Sequence, residues 1–173
     1  MRIFNLFLLI VLISSSCSCQ DKKNKKSAKP ISAETLMKIN KSLVGRDNEK
    51  IKAYLAANDL TMQQTKTGLW YVIHQPGSGE IKKGQVVSLK YNIHLLDGTM
   101  CYASDSLGLK TFLVGQGGVE TGLEEGVLLL GKGAKATFIM PPYQAHGLIG
   151  DDDKIPGRSI IIYDVEVVNV TDK

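Results

Sequence analysis

The side chains able to do covalent or metal chemistry are badly spaced in this chain for most of it. His74, His94 and His146 have no metal-ligand spacing, and His94 falls on the outward side of a strand pattern. Asp151-Asp152-Asp153 lacks the alternating oxygen ligands of a calcium loop and reads as a solvated turn. No Ser/His/Asp order or nucleophile elbow is present. Gly126 to Lys132 has the outline of a phosphate-binding loop. Gly133, however, stands where Ser or Thr must hold magnesium, and the intervening VLLL is apolar helix. Gly131-x-Gly133-x-x-Ala136 follows a helix and opens a strand, the reverse of a dinucleotide fingerprint's context. No cofactor and no metal are expected. Cys17, Cys19 and Cys101 make no even framework and no CxxC, so Cys101 is a lone thiol, tolerable in an oxidising compartment if buried.

The elements that must position any site centre on Val119 to Pro156. Val119, Leu123, Val127 and Leu130 share one helical face, and the spacing predicts a helix over Thr121 to Leu130, stopped by Gly131-Lys132-Gly133. Ala134 to Pro142 reads as a strand ended by two prolines. Leu69 to Gln75 is a strand. Val87, Leu89, Tyr91, Ile93 and Leu95 alternate with mainly polar residues, the period of a strand with one buried face. Asp97-Gly98 is a strong hairpin signal, so Thr99 to Ser104 should return antiparallel. Phe112 to Val114 and Ile160 to Val170 complete the strands. In the last, Ile161, Tyr163, Val165 and Val167 share a face. The expected fold class is α+β, an antiparallel sheet with one short helix across it. Ahead of it, Ser32 to Val44 reads as a helix with a Leu36, Ile39, Leu43, Val44 stripe that packs on the parent domain. Gly45 stops it, and a second helix carries Ile51, Tyr54 and Leu55.

Charge separates the ends of the chain. Residues 1–30 hold six of the 21 lysines and arginines and one of the 17 acids, so the remainder, with 15 basic and 16 acidic residues, stands at −1. That remainder has no basic excess for phosphates, which argues against nucleic acid. Arg2 followed by the apolar run Ile3 to Ile13 is too short to span a bilayer and reads as a signal peptide. Ser14-Ser15-Ser16-Cys17 looks like a bacterial lipobox, with Cys19 as the second candidate for lipidation. The expected domains are a lipoprotein signal peptide over 1–16, a Lys-rich tether over 17–30, a helical extension over 31–60 and a folded domain over 61–173. The expected location is the periplasmic side of a membrane or the cell envelope.

Five ordered stretches carry a resemblance: VVSLKYNIHLLDG, FLVGQGGVETGLEEGVLLLGKGAKATFIMPP, AHG, IPG and IIIYDVEVVNV. Residues 84–170 resemble the FKBP-type peptidyl-prolyl isomerase domain, the family that binds tacrolimus. The lead-in TKTGLWYVIHQPGSGE and the helical extension resemble the lipoprotein members of gut and gliding bacteria. The resemblance implies a twisted antiparallel half-barrel wrapped on the short helix. It implies isomerase activity on X-Pro segments of unfolded or exported proteins, with no metal.

Position by position, the resemblance makes Tyr91 the pocket tyrosine, Phe112 and Tyr163 aromatic walls, and Val119 and Ile155 aliphatic walls. Glu120 supplies a backbone N–H. Five positions depart from the family pattern. Its Phe-Asp pair after the DG turn is Cys101-Tyr102, its floor tryptophan is Leu123, its donor tyrosine before glycine is His146, and Lys110 stands at another wall position. His146 can still donate a hydrogen bond, and Tyr102 is expected to refill the volume that Cys101 vacates. The catalytic set implied is Tyr91, Tyr102 and His146, and Leu123 is expected beneath a shallow apolar pocket.

Two readings follow: a membrane-anchored isomerase of weak activity, or an FKBP-like binding or chaperone module with an altered pocket. A lipoprotein that holds a partner through its N-terminal helices is a third. Lipid on Cys17 gives the first direct test, since two or more acyl chains anchor firmly where one does not. Cys17→Ser should move the protein from the membrane to the soluble fraction. Retention of both lipid and membrane association in that variant transfers the assignment to Cys19.

Overall fold

A computed structural model describes residues 31–173. Cys17, Cys19, the signal peptide and the tether lie outside the described residues. Helix α1 (Ala33–Ala57) leads into strands β1 (Gln63–Gln64), β2 (Trp70–Gln75), β3 (Gln85–Leu95) and β4 (Met100–Ala103). A single turn of helix, α2 (Ser104–Leu107), precedes β5 (Lys110–Leu113). Helix α3 (Thr121–Val127), β6 (Lys135–Met140), a 3-10 turn at Pro142–Gln144 and β7 (Ile161–Asp172) follow. The strands form one antiparallel sheet in the order β1-β2-β6-β7-β3-β4, with β5 also on β3.

The period-two pattern of β3 and β7 explains the centre of the sheet. Val87, Leu89, Tyr91 and Ile93 are buried with Ile161, Tyr163, Val165 and Val167, while Lys90 and Asn92 face water. The Asp97-Gly98 turn forms as expected: Gly98 N–H donates to the Leu95 carbonyl, and Asp97 accepts from Thr99 N–H.

Helix α3 lies across the inner face, and Leu123 and Val127 are fully buried. It stops three residues short of the expected Leu130. Residues 128 to 130 continue as tight turns, with N–H groups bonded three residues back. Gly131 is not the left-handed stop that the sequence suggests. Its N–H turns to the Pro76 carbonyl, and an added Cβ would lie 2.5 Å from the Gly79 oxygen. Gly126 has a similar role on the helix: a Cβ there would come within 2.7 Å of the Phe138 ring. This glycine lets helix and sheet approach.

Gly45 does not interrupt the N-terminal helix. Glycine mid-helix costs about 1 kcal/mol, and burial of Asp47, Ile51 and Leu55 on one face offsets that. Ile51 and Leu55 pack with Ile139, Ile160 and Ile162 on the outer face of the sheet. Buried Asp47 accepts from Arg158 Nη2 at 3.0 and 2.8 Å, and Trp70 Nε1 donates to Asn48. Only this second half of α1 is seated. Of the packing stripe expected in the first half, Leu36, Ile39 and Val44 are exposed and Leu43 is half-buried. Among the described residues, no helix is long and apolar enough to cross a membrane.

Gly126→Ala should destabilise the domain by about 1–3 kcal/mol, the usual cost of overpacking. Urea unfolding followed through Trp70 fluorescence measures it, and a shift within 0 ± ~0.3 kcal/mol would mean the helix is not held this close.

Candidate functional site

The strand register and the seating of α3 bring five polar or aromatic side chains together on the inner face. Tyr91 and Tyr163 come from adjacent strands, with their ring centroids 5.8 Å apart and tilted at 45°. Lys110, at the start of β5, pairs with Leu89 of β3 and sends its ammonium over both rings, 5.5 Å from each centroid. Glu120 ends the glycine-rich loop just before α3, and its side chain is only 6% exposed. Its carboxylate lies 3.5 Å from Lys110 Nζ and 3.3 Å from His146 Nε2. That histidine nitrogen is close enough for ion pairing but is not aligned for a hydrogen bond, and it has no other partner among the described residues.

The loop before α3 is fixed by the helix itself. Glu124 accepts from Gly115 N–H and Gly117 N–H at 2.6 and 3.0 Å. The acid in the first helical turn thus ties down the turn that delivers Val119 and Glu120. Glu120 N–H meets no acceptor among the described residues.

Both tyrosines are held neutral. Burial, then the Glu120 charge, pushes the Tyr91 phenol up. Burial, Glu120 and Tyr91 push Tyr163 much further in the same direction. A neutral phenol is a donor, and the Tyr163 hydroxyl is buried with no partner among the described residues. Burying an unsatisfied hydroxyl costs about 1–3 kcal/mol, a cost that no hydrogen bond among the described residues offsets.

The walls assigned by position are closely packed. Leu123 is 0% exposed, Ile155 1% and Phe112 9%, while Val119 is half-buried. The shallow pocket expected above Leu123 is not open. Leu123 is wholly covered, and the Lys110 ammonium lies over the two tyrosine rings.

In the pair after the hairpin, Cys101 is buried, and its thiol faces the carbonyls of Thr99 and Lys154. Burial and then the Asp151 and Asp97 charges push that thiol up, against a smaller opposing pull from Lys154, so it is no thiolate. The Tyr102 ring packs on the core edge, and its hydroxyl donates to Asp151 at 2.5 Å and to Asp153 at 3.2 Å. The Asp151 bond, then burial, pushes the Tyr102 phenol up to about 12.

Asp151 organises the loop that ends in Ile155. It also accepts from the N–H groups of Asp153 and Ile155. Burial pushes its carboxyl up, but these bonds and nearby His146 outweigh that and hold it below the usual range. The aspartate run is therefore a loop clasp, with Asp151 folded inward, rather than a simple solvated turn. Sequence reasoning misses Asp151, because its partner Tyr102 lies far away in the chain.

Comparison with known proteins places this geometry. The family model for FKBP-type peptidyl-prolyl cis-trans isomerases matches residues 77–168. A probable FKBP-type isomerase, FkpA, of Neisseria meningitidis is 34% identical over 128 residues, which is 72% of this chain and 46% of that protein. A probable FKBP-type isomerase of Haemophilus influenzae is 33% identical over 129 residues, covering 73% of this chain and 52% of its own length. Human FKBP9 is 35% identical over 91 residues, 51% of this chain and 16% of that protein. The chain thus spans about half the length of the two bacterial relatives and a small part of the human one. Among solved structures, FkpA of Escherichia coli superposes with a TM-score of 0.61 at 26% identity, covering 83% of this chain and 75% of that one. The family match spans the residues that carry the site, Tyr91, Lys110, Glu120, His146 and Tyr163: the chain belongs to the FKBP-type peptidyl-prolyl cis-trans isomerase family.

Proposed function

We propose that this chain is a peptidyl-prolyl cis-trans isomerase that assists folding of extended X-Pro segments, held by lipid at the periplasmic face of a membrane. The carrying observation is the pair of neutral tyrosines with two unclaimed donors beside it, the Tyr163 hydroxyl and the Glu120 N–H. The anchoring part rests on the apolar run before Cys17.

The chemistry asked of such a site is modest in kind and large in barrier. Conjugation holds the peptide bond planar by about 18–20 kcal/mol, and an uncatalysed prolyl flip takes tens to hundreds of seconds. At the twisted geometry, conjugation is lost and the carbonyl points in a new direction. A site speeds the flip only through contacts stronger in that state than in the planar ones. Aromatic faces grip the pyrrolidine ring without hydrogen bonds. The Tyr163 hydroxyl and the Glu120 N–H can meet the rotated carbonyl, and exclusion of water strengthens both. No bond forms or breaks and no nucleophile is required, in keeping with a sequence that has no Ser/His/Asp order or nucleophile elbow.

A binding module is the second reading. It is favoured by the covered Leu123 and by the ammonium lying over the rings. A cis-trans exchange assay by NMR on a short X-Pro peptide separates the two. Catalytic amounts of protein should broaden or exchange the proline signals, whereas binding without faster exchange selects the module.

Tyr163→Phe tests the donor role. Removing an unsatisfied buried hydroxyl should leave stability unchanged or raise it by up to about 1 kcal/mol, while the exchange rate falls at least severalfold. A stability loss above about 1 kcal/mol would show that the hydroxyl already has a structural partner.

A further inference from the structure

Glu120 is the feature that the isomerisation chemistry leaves unexplained. Its side chain is almost fully buried beside the lysine that covers both tyrosine rings, in a site whose task is to hold an apolar proline. A buried carboxylate is costly unless a cation stays beside it. Its partners are Lys110 at 3.5 Å and the misaligned His146 nitrogen at 3.3 Å. The Lys110 ammonium also rests on both tyrosine faces. Two rings and a carboxylate around one ammonium make a cation-binding site, occupied here by the protein's own lysine.

We infer that Lys110 is an internal stand-in for a client cation, and that the site prefers X-Pro segments with a basic residue next to proline. This deepens the isomerase reading and rests on it. A proline ring seated on Tyr91 and Tyr163 must displace the ammonium from the same faces. Glu120 then loses its nearest full charge. A client that brings Lys or Arg beside its proline exchanges one cation for another. A client with an apolar neighbour leaves the carboxylate with His146 alone, and one with an acidic neighbour adds repulsion. The rim carries further charges: Asp151 and Asp153 at the Tyr102 hydroxyl and Lys154 over the Tyr102 ring. Asp151 is tied to its loop and Lys154 partly offsets the acids, so Glu120 carries the selectivity.

The test uses three peptides identical except for Lys, Ala or Glu immediately before proline. The efficiency kcat/KM is read from NMR exchange with no coupling protease. The wild-type chain should favour Lys-Pro over Ala-Pro by about fivefold or more, with Glu-Pro slowest. Glu120→Gln keeps the shape of the side chain and should bring the three within about twofold. Lys110→Met should raise all three and keep Lys-Pro first, because the occupant is gone while the carboxylate remains. Amide dispersion and Trp70 emission confirm that each variant is folded. Equal rates for the three peptides in the wild type, or an unchanged order in Glu120→Gln, would overturn the inference. If no folded variant speeds any peptide, the isomerase reading fails instead. Calorimetric binding of the same peptides then decides: the same order supports the inference, and equal affinities overturn it.

Discussion

The close seating of α3 on the sheet is the constraint from which the site follows. At Gly126 the helix backbone comes so near Phe138 that even a methyl group would collide, and at Gly122 an added Cβ would lie 2.9 Å from Met140. That approach buries Leu123 and Val127 against Tyr163 and Phe138 in one core. It also fixes the helix start, so Glu120 and its N–H arrive beside the two tyrosine rings. Glu124, one turn on, holds the loop that precedes them. Interiors packed to this density leave little room for drift, which suits chemistry that depends only on where rings and donors stand.

Against this apolar frame the site carries more charge than a proline pocket needs. Lys110 and His146 stand at positions that depart from the family pattern, and with Glu120 they form a connected group. Burial, and then the carboxylate by raising the cost of a second negative charge beside it, keep both tyrosines protonated. The lysine in turn makes the carboxylate tolerable. Each charge is thus explained by its neighbour, while the Tyr163 hydroxyl, like the Glu120 N–H, has no hydrogen-bond partner among the described residues.

The parts legible in the sequence were those set by short-range periodicity. Alternation from Val87 to Leu95 placed Tyr91 on the buried face, and the Asp97-Gly98 signal placed the return strand. The i, i+4 face of Leu123 and Val127 marked the helix. Contacts between distant residues were not legible. The Asp47–Arg158 ion pair joins α1 to the last loop, and the Tyr102–Asp151 bond joins β4 to the same loop. Neither has a local pattern, and the run of three aspartates does not show which one turns inward. Gly45 misled because a helix stop depends on what the following turns bury, and Ile51 and Leu55 bury enough to carry the helix through. Lys110 was visible as a departure, but its partner lay across the glycine-rich loop.

The central claim is that proline sits on the Tyr91 and Tyr163 rings. It is tested most directly by intermolecular nuclear Overhauser contacts between a bound X-Pro peptide and the isotope-labelled protein. The account predicts contacts from the proline ring protons to the Tyr91 and Tyr163 ring protons, with the Lys110 side-chain signals shifting as the ammonium leaves. Contacts confined to other surfaces, with the Lys110 signals unmoved, would contradict it.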